Sequence, residues 1–267
     1  VSRADEGVVI LGANAVMANN GTIGAAKDGV RLDGAKVNFA NHKTITSTDG
    51  QAIDVGGANA QVMNNGTLKG AAGILIDGAH AVLTNNGSVT ATKGIAVALL
   101  GKGTNDFSNN GTLKAAALAL KGGVGAEIVV NNGTIRGNVD LGAGNDTFDT
   151  RGGKVFGTVA GGKGNDKFVF DFGGRDGEGD VITDFTRGQD KLVIDKSDFH
   201  IAGGDTTVTL VVGADPVATS TKGTFLFESD NGRLWFDADG SGNDADLELV
   251  AILQNVKTLT TSDFSFI

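Results

Sequence analysis

Two stretches of this chain, twenty residues apart, share one nine-residue frame: Leu141-Gly-Ala-Gly-Asn-Asp146-Thr-Phe-Asp149 and Gly161-Gly-Lys-Gly-Asn-Asp166-Lys-Phe-Val169. The glycines, Gly142 and Gly144 in the first and Gly161, Gly162 and Gly164 in the second, let a turn fold tightly enough for successive carbonyls to point inward. Lys163 contributes its backbone to the second turn, Asp146 and Asp166 each add a charged oxygen, and Phe148 and Phe168 anchor the strands that follow. Oxygen ligands on a flexible backbone suit Ca2+, which takes roughly six to eight of them in loose geometry, so one such turn can serve only together with its neighbour. A phosphate-binding loop is the competing reading, but it needs G-K-[ST] and a helix pattern behind it, and the sequence has neither.

Stacked turns need a stacked scaffold, and the preceding residues describe one. Asn19-Asn20-Gly21-Thr22-Ile23 recurs as Asn64 to Leu68, Asn85 to Val89, Asn109 to Leu113 and Asn131 to Ile135, with a degenerate copy, NHKTI, at Asn41 to Ile45. Two residues before each leading asparagine stands an apolar residue: Met17, Phe39, Val62, Leu83, Phe107 and Val129. Half a repeat away come alternating apolar pairs such as Val30/Leu32, Ile53/Val55 and Ile74/Ile76, and alternation of this kind means strand. A fixed period with short strands and glycine-rich turns predicts a right-handed parallel β-helix, or solenoid, over residues 1–138. The leading asparagines should form an amide ladder at a turn, and His42 and Lys43 should mark an outward bulge. The spacing of Asp146 and Asp166 is close to one coil, which stacks them with a cation between.

Composition divides the chain at the same place. Residues 1–138 hold 11 Lys and Arg against 9 Asp and Glu, whereas residues 139–267 hold 11 against 22, and twelve of the 14 phenylalanines lie in the second part. An acidic half argues against nucleic acid as a partner and for cations. The chain has no cysteine, so neither disulfides nor thiolate metal sites support it, and no apolar run is long enough for a transmembrane segment. Gly7 to Gly21 aligns with Gly73 to Gly87, so the sequence opens inside a coil, and the expectation is that further coils or another domain precede Val1.

The NNGTI coils resemble the β-helical repeats of bacterial surface passengers, adhesins and autotransporter-like proteins. LGAGNDTFD and GGKGNDKFV resemble repeats-in-toxin (RTX) nonapeptides, and Gly179-Asp180-Val-Ile-Thr-Asp184-Phe-Thr-Arg-Gly-Gln-Asp190-Lys-Leu resembles the segment that follows them in serralysin-type C-terminal regions. The resemblance implies three parts: a parallel β-helix (1–138), a short calcium-binding β-roll (139–172) and a C-terminal β-rich cap (173–267). It also implies that Asp180 and Asp190 help hold a further Ca2+, and that the ending Asp263-Phe-Ser-Phe-Ile267 is read by type I secretion machinery. Asp184 is open to a second reading, as a surface strand residue.

A third acidic run, Asp237-Ala-Asp239-Gly-Ser241-Gly242-Asn-Asp244-Ala-Asp-Leu-Glu248, matches several ligand positions of an EF-hand loop. Its flanks, RLWF and ELVAIL, read as strands, so an acidic hairpin loop is the equal alternative. Enzymes also occur on parallel β-helices, but His42, His80 and His200 fall in different regions, tyrosine and H-E-x-x-H are absent, and no acid/base pair gathers at one height. The expectation is therefore a noncatalytic, calcium-stabilised segment of a secreted surface or matrix protein, with the noncatalytic tail of an exported polysaccharide-modifying enzyme or protease as the alternative. The outward file Thr22, Thr44, Thr67, Ser88, Thr112 and Thr134 could meet an extracellular polysaccharide, a cell surface or an ice lattice, or be no more than good β-surface.

Overall fold

A computed structural model describes residues 5–171, 179–240 and 247–267. The fold is a β-solenoid: short strands, one above another, pair in parallel from coil to coil, and the described residues contain no α-helix. One file of strands is a ten-stranded sheet, running from Val16–Asn19 through Asn38–Asn41, Gln61–Asn64 and their successors to Lys191–Ile194 and Phe264–Phe266. Two further files, headed by Val8–Ile10 and Thr22–Ala25, are joined into one sheet by the long strands Thr112–Lys121 and Thr134–Asp140. The composition change at residue 139 falls inside the second of these, so the ladder runs through it.

Equivalent apolar residues stack in the core because parallel, in-register pairing places identical pleat positions over one another. Phe39, Val62, Leu83, Phe107, Val129, Phe148, Phe168 and Leu192 follow in unbroken register and are buried. A second column runs from Val30 through Ile53, Ile74, Val97, Leu120, Val139 and Val159 to Ile182 and Leu253. The two composition halves thus share one core.

The leading asparagines form the expected ladder. Asn19, Asn41, Asn64, Asn85 and Asn109 each donate from Nδ2 to the Oδ1 of the next, every bond 2.8 Å long, ending on Asn131. The second asparagines of the repeat make a parallel exposed ladder, Asn132 to Asn110 to Asn86 to Asn65, which ends 3.2 Å from His42 Nδ1. His42 and Lys43 therefore do not mark a bulge. Asn41 and Thr44 keep their register with Asn64 and Thr67 because the turn is held by the backbone and by Asn41, neither of which depends on the substituted side chains.

Beyond Ile194 the chain leaves the coil and returns. Thr224–Glu228, Arg233–Asp237 and Leu247–Leu253 form an antiparallel meander, and Leu247–Leu253 pairs in parallel with Asp180–Ile182 to resume its file. Phe264–Phe266 does the same for the other sheet by pairing with Lys191–Ile194. The rings of Phe199, Phe225, Phe236 and Phe264 cluster with centroids 4.7 to 5.5 Å apart, which fills the end of the coil.

Candidate metal centre

Each coil turns a corner just before the phenylalanine column, and the register defines one position there, two residues ahead of the core side chain. Along the solenoid it is occupied by Ala15, Val37, Ala60, Ala81, Asn105, Glu127, Asp146, Asp166 and Asp190. The column is apolar for four coils, then an amide, then four acids, and from Val37 onward every member is buried.

The turn chemistry changes along with it. In the early coils the residue before this position takes a left-handed conformation, at Asn14, Lys36, Asn59 and His80. In the two nonapeptides the left-handed positions move to Gly142 and Gly144, with φ of 95° and 155°, and to Gly162 and Gly164, with φ of 94° and 142°. The glycine turns stack directly: Gly144 donates its amide to the Lys163 carbonyl and Lys163 to the Gly142 carbonyl, at 2.8 and 2.9 Å.

The acids are linked through the backbone. Asp146 Oδ1 accepts the amide of Glu127 at 2.7 Å, Asp166 Oδ1 that of Asp146 at 2.9 Å, and Asp190 Oδ1 that of Asp166 at 2.9 Å. Asp190 uses its other oxygen for the Thr186 amide at 2.7 Å, so both its oxygens are occupied. Asp146 Oδ2 and Asp166 Oδ2 are buried with no hydrogen-bond partner, and among the described residues no lysine, arginine or histidine forms an ion pair with either carboxylate. Burial pushes the Asp146 carboxyl up to about 7, against the Glu127 amide and with Asp166 adding to the rise. Burial likewise raises Asp166 and Asp190, against the amides they accept.

An ideal Cβ on Gly161 would lie 2.6 Å from Asp166 Oδ2, so the bare glycine leaves the space in front of that oxygen. Asp184 closes the outer side of the same turn, accepting the amides of Gly161 and Gly162 at 3.0 and 2.8 Å. These features fit a hard divalent cation: negative oxygens with no donor, glycine backbone packed against them and no competing cation. The carboxylates do not supply a full shell, since among the described residues no three His, Asp or Glu side chains gather as a metal-binding group. Turn carbonyls would have to complete it.

The remaining expected ligands are divided between this column and other parts of the fold. Asp180 opens the strand Asp180–Ile182 in register with Ala251, while Asp190 stands in the turn column. Asp237 Oδ1 accepts the Gly240 amide at 2.7 Å and closes a tight turn that also contains Asp239. The strands on either side of that loop pair antiparallel, as its flanks indicate; Ser241 to Asp246 lie outside the described residues.

The nonapeptide pattern passes over Glu127. Its turn reads Gly122-Gly-Val-Gly-Ala-Glu127-Ile-Val129, the same frame with glutamate for aspartate, and it lies 19 residues before Asp146. Coil spacing joined to the glycine pattern is the signal that identifies it. No model of a known protein family matches the chain, and no characterised protein matches it.

Proposed function

We propose that this chain is a noncatalytic, calcium-stabilised segment of a secreted bacterial surface or matrix protein, exported by type I secretion machinery, in which Ca2+ drives folding of the C-terminal half. The observation that carries the proposal is the pair of buried, partnerless oxygens, Asp146 Oδ2 and Asp166 Oδ2, on stacked glycine turns. An uncompensated buried carboxylate costs several kcal/mol, so these positions hold the folded state back until a positive charge arrives. When bound, Ca2+ supplies that charge and accepts backbone carbonyls as further ligands.

The chain's own residues do the rest. The glycines keep the space open, the inner oxygens hold neighbouring turns together through backbone amides, and Asp184 covers the outer face. A calcium-poor cytoplasm would leave the acidic half loose and suited to passage through a narrow channel, and extracellular calcium would close the coil beneath the cap. The in-register outward file from Thr22 to Thr134 offers a regular surface for an extracellular polysaccharide or a cell surface. A noncatalytic role accords with the histidines: His42 ends the exposed ladder, and His80 and His200 sit in separate left-handed turns.

Calorimetric titration of the full chain with CaCl2 and with MgCl2 tests the reading. Calcium should bind in preference, because Mg2+ demands a compact octahedron that carbonyl-rich turns do not provide. Equal affinity for the two ions, or none for calcium, would overturn it.

A further inference from the structure

The two nonapeptides account for Asp146 and Asp166, but the column of acids begins one coil earlier. Glu127 is fully buried, in register between Asn105 and Asp146. Among the described residues its carboxylate receives two hydrogen bonds, both long, from Asn105 Nδ2 and from the Gly123 amide at 3.4 Å each. Among the described residues no lysine, arginine or histidine forms an ion pair with it.

Two relationships repeat those of the Asp166 turn. An ideal Cβ on Gly122 would lie 2.8 Å from Glu127 Oε2, as one on Gly161 would lie 2.6 Å from Asp166 Oδ2, so in both turns a bare glycine stands beside an oxygen of the acid; at Gly122 the Leu141 carbonyl oxygen, nearer still to that Cβ, packs against the glycine as well. The coil between them has Leu141 at that position. The carboxylate that reaches across to the Glu127 turn is Asp146: its Oδ1 holds the Glu127 amide at 2.7 Å, and its Oδ2 is one of the two buried oxygens without a partner. The glycine frame and the long bonds to Glu127 thus lie one coil from the Asp146 carboxylate, which is tied to the Glu127 backbone through Oδ1 and leaves Oδ2 without a partner.

We propose that Glu127, with the Gly122–Gly125 turn and Asp146 Oδ2, forms a further oxygen-ligand site for a divalent cation of the calcium class, placed before the first recognisable nonapeptide. This rests on the reading of the Asp146 and Asp166 turns as calcium sites. It moves the start of cation-dependent folding back into the NNGTI region, so that the coils on either side of Asn131 are tied by the ion as well as by the amide ladder. Asn105, one coil further back, marks the end of the series: its neutral amide donates to Glu127 and accepts the Ala81 amide at 3.1 Å, and so satisfies the same corner without a charge.

The test uses the full chain with CaCl2 as the probe. Calcium stoichiometry by native mass spectrometry and hydrogen exchange with and without calcium are measured for the wild type, Glu127→Gln, Glu127→Asp and Asp166→Asn. Glu127→Gln should bind one fewer calcium ion per chain and lose calcium-induced protection over 122–131 while keeping it over 161–170. Asp166→Asn should show the reverse pattern of protection. Glu127→Asp, which restores the frame's usual acid, should keep the ion. If Glu127→Gln binds as many ions as the wild type with unchanged protection while Asp166→Asn loses calcium, this site is refuted and the nonapeptide reading stands. A wild type that binds no calcium refutes both.

Discussion

Asp166 accepts the backbone amide of Asp146 through one carboxylate oxygen at 2.9 Å and buries the other with nothing to bond it. The two oxygens of one side chain are therefore placed differently, one joining adjacent coils and the other, in the mechanism proposed above, reserved for a cation. Asp166→Asn separates them, since an amide oxygen can still accept the Asp146 amide while the charge is gone. In the presence of a chelator this variant should melt no lower than the wild type. The rise in Tm produced by millimolar calcium should shrink, and the calcium needed for half-maximal folding should increase at least several-fold. Calorimetric melts across a calcium series check this, and an unchanged calcium response would remove Asp166 from the site.

Filling the space should act as strongly as removing the charge. Gly161→Ala would place a methyl 2.6 Å from Asp166 Oδ2 and 2.9 Å from the Phe168 ring. Calcium affinity should fall with little change in the amide ladder, and titration calorimetry beside exchange protection at Asn41 to Asn109 would show it.

Acidity should stabilise the calcium-free protein. Burial raises the Asp146 carboxyl from 3.8 to about 7 and that of Glu127 from 4.5 to about 8, so between those limits the folded chain binds more protons than the unfolded one. Stability without calcium then falls as pH rises through that window, by at most about 4 kcal/mol from Asp146 alone. With saturating calcium the dependence should flatten or reverse, because ligand carboxylates must be deprotonated. Melting at pH 5 and pH 8, with chelator and with calcium, gives the four values needed, and a calcium-free protein more stable at pH 8 would contradict the sign.

Chelation should not loosen the molecule evenly. Hydrogen exchange is expected to rise first across 139–267, while the coils carrying Asn19 to Asn109 keep their protection. Asp54→Ala is the control: burial, then the neighbouring Asp28, raises Asp54 to about 6, but it lies outside the turn column and should leave the calcium requirement unchanged. Uniform protection with and without calcium would contradict the mechanism.

The two asparagine ladders should differ in worth. Asn64→Ala removes a buried rung that donates to Asn85 and accepts from Asn41, leaving polar atoms without partners, and should cost about 2 to 4 kcal/mol. Asn86→Ala removes an exposed rung whose neighbours can bond to water, and should cost about 0.5 kcal/mol or less. Denaturant melts at constant calcium would compare them.

The sequence alone determined the solenoid, its amide ladder and the pairing of Asp146 with Asp166. Each follows from a period: a parallel coil places equivalent residues over one another, so repetition in the chain becomes contact in space, as Asn19 to Asn131 demonstrate. A substitution within the period, such as His42 for the second asparagine, misled because the turn is held by the Asn41 side chain and by backbone bonds, none of which the substitution touches. What only the tertiary structure decided is which oxygens remain free. Asp190 matches Asp146 and Asp166 in type and register, yet the Thr186 amide occupies its second oxygen; Asp184 covers the Gly161 turn; and Glu127 enters the column under a different letter. The reason is that an oxygen's partner is set by an amide from the same or an adjacent coil, and the path of the turn between them, not the identity of the acid, determines whether that amide arrives.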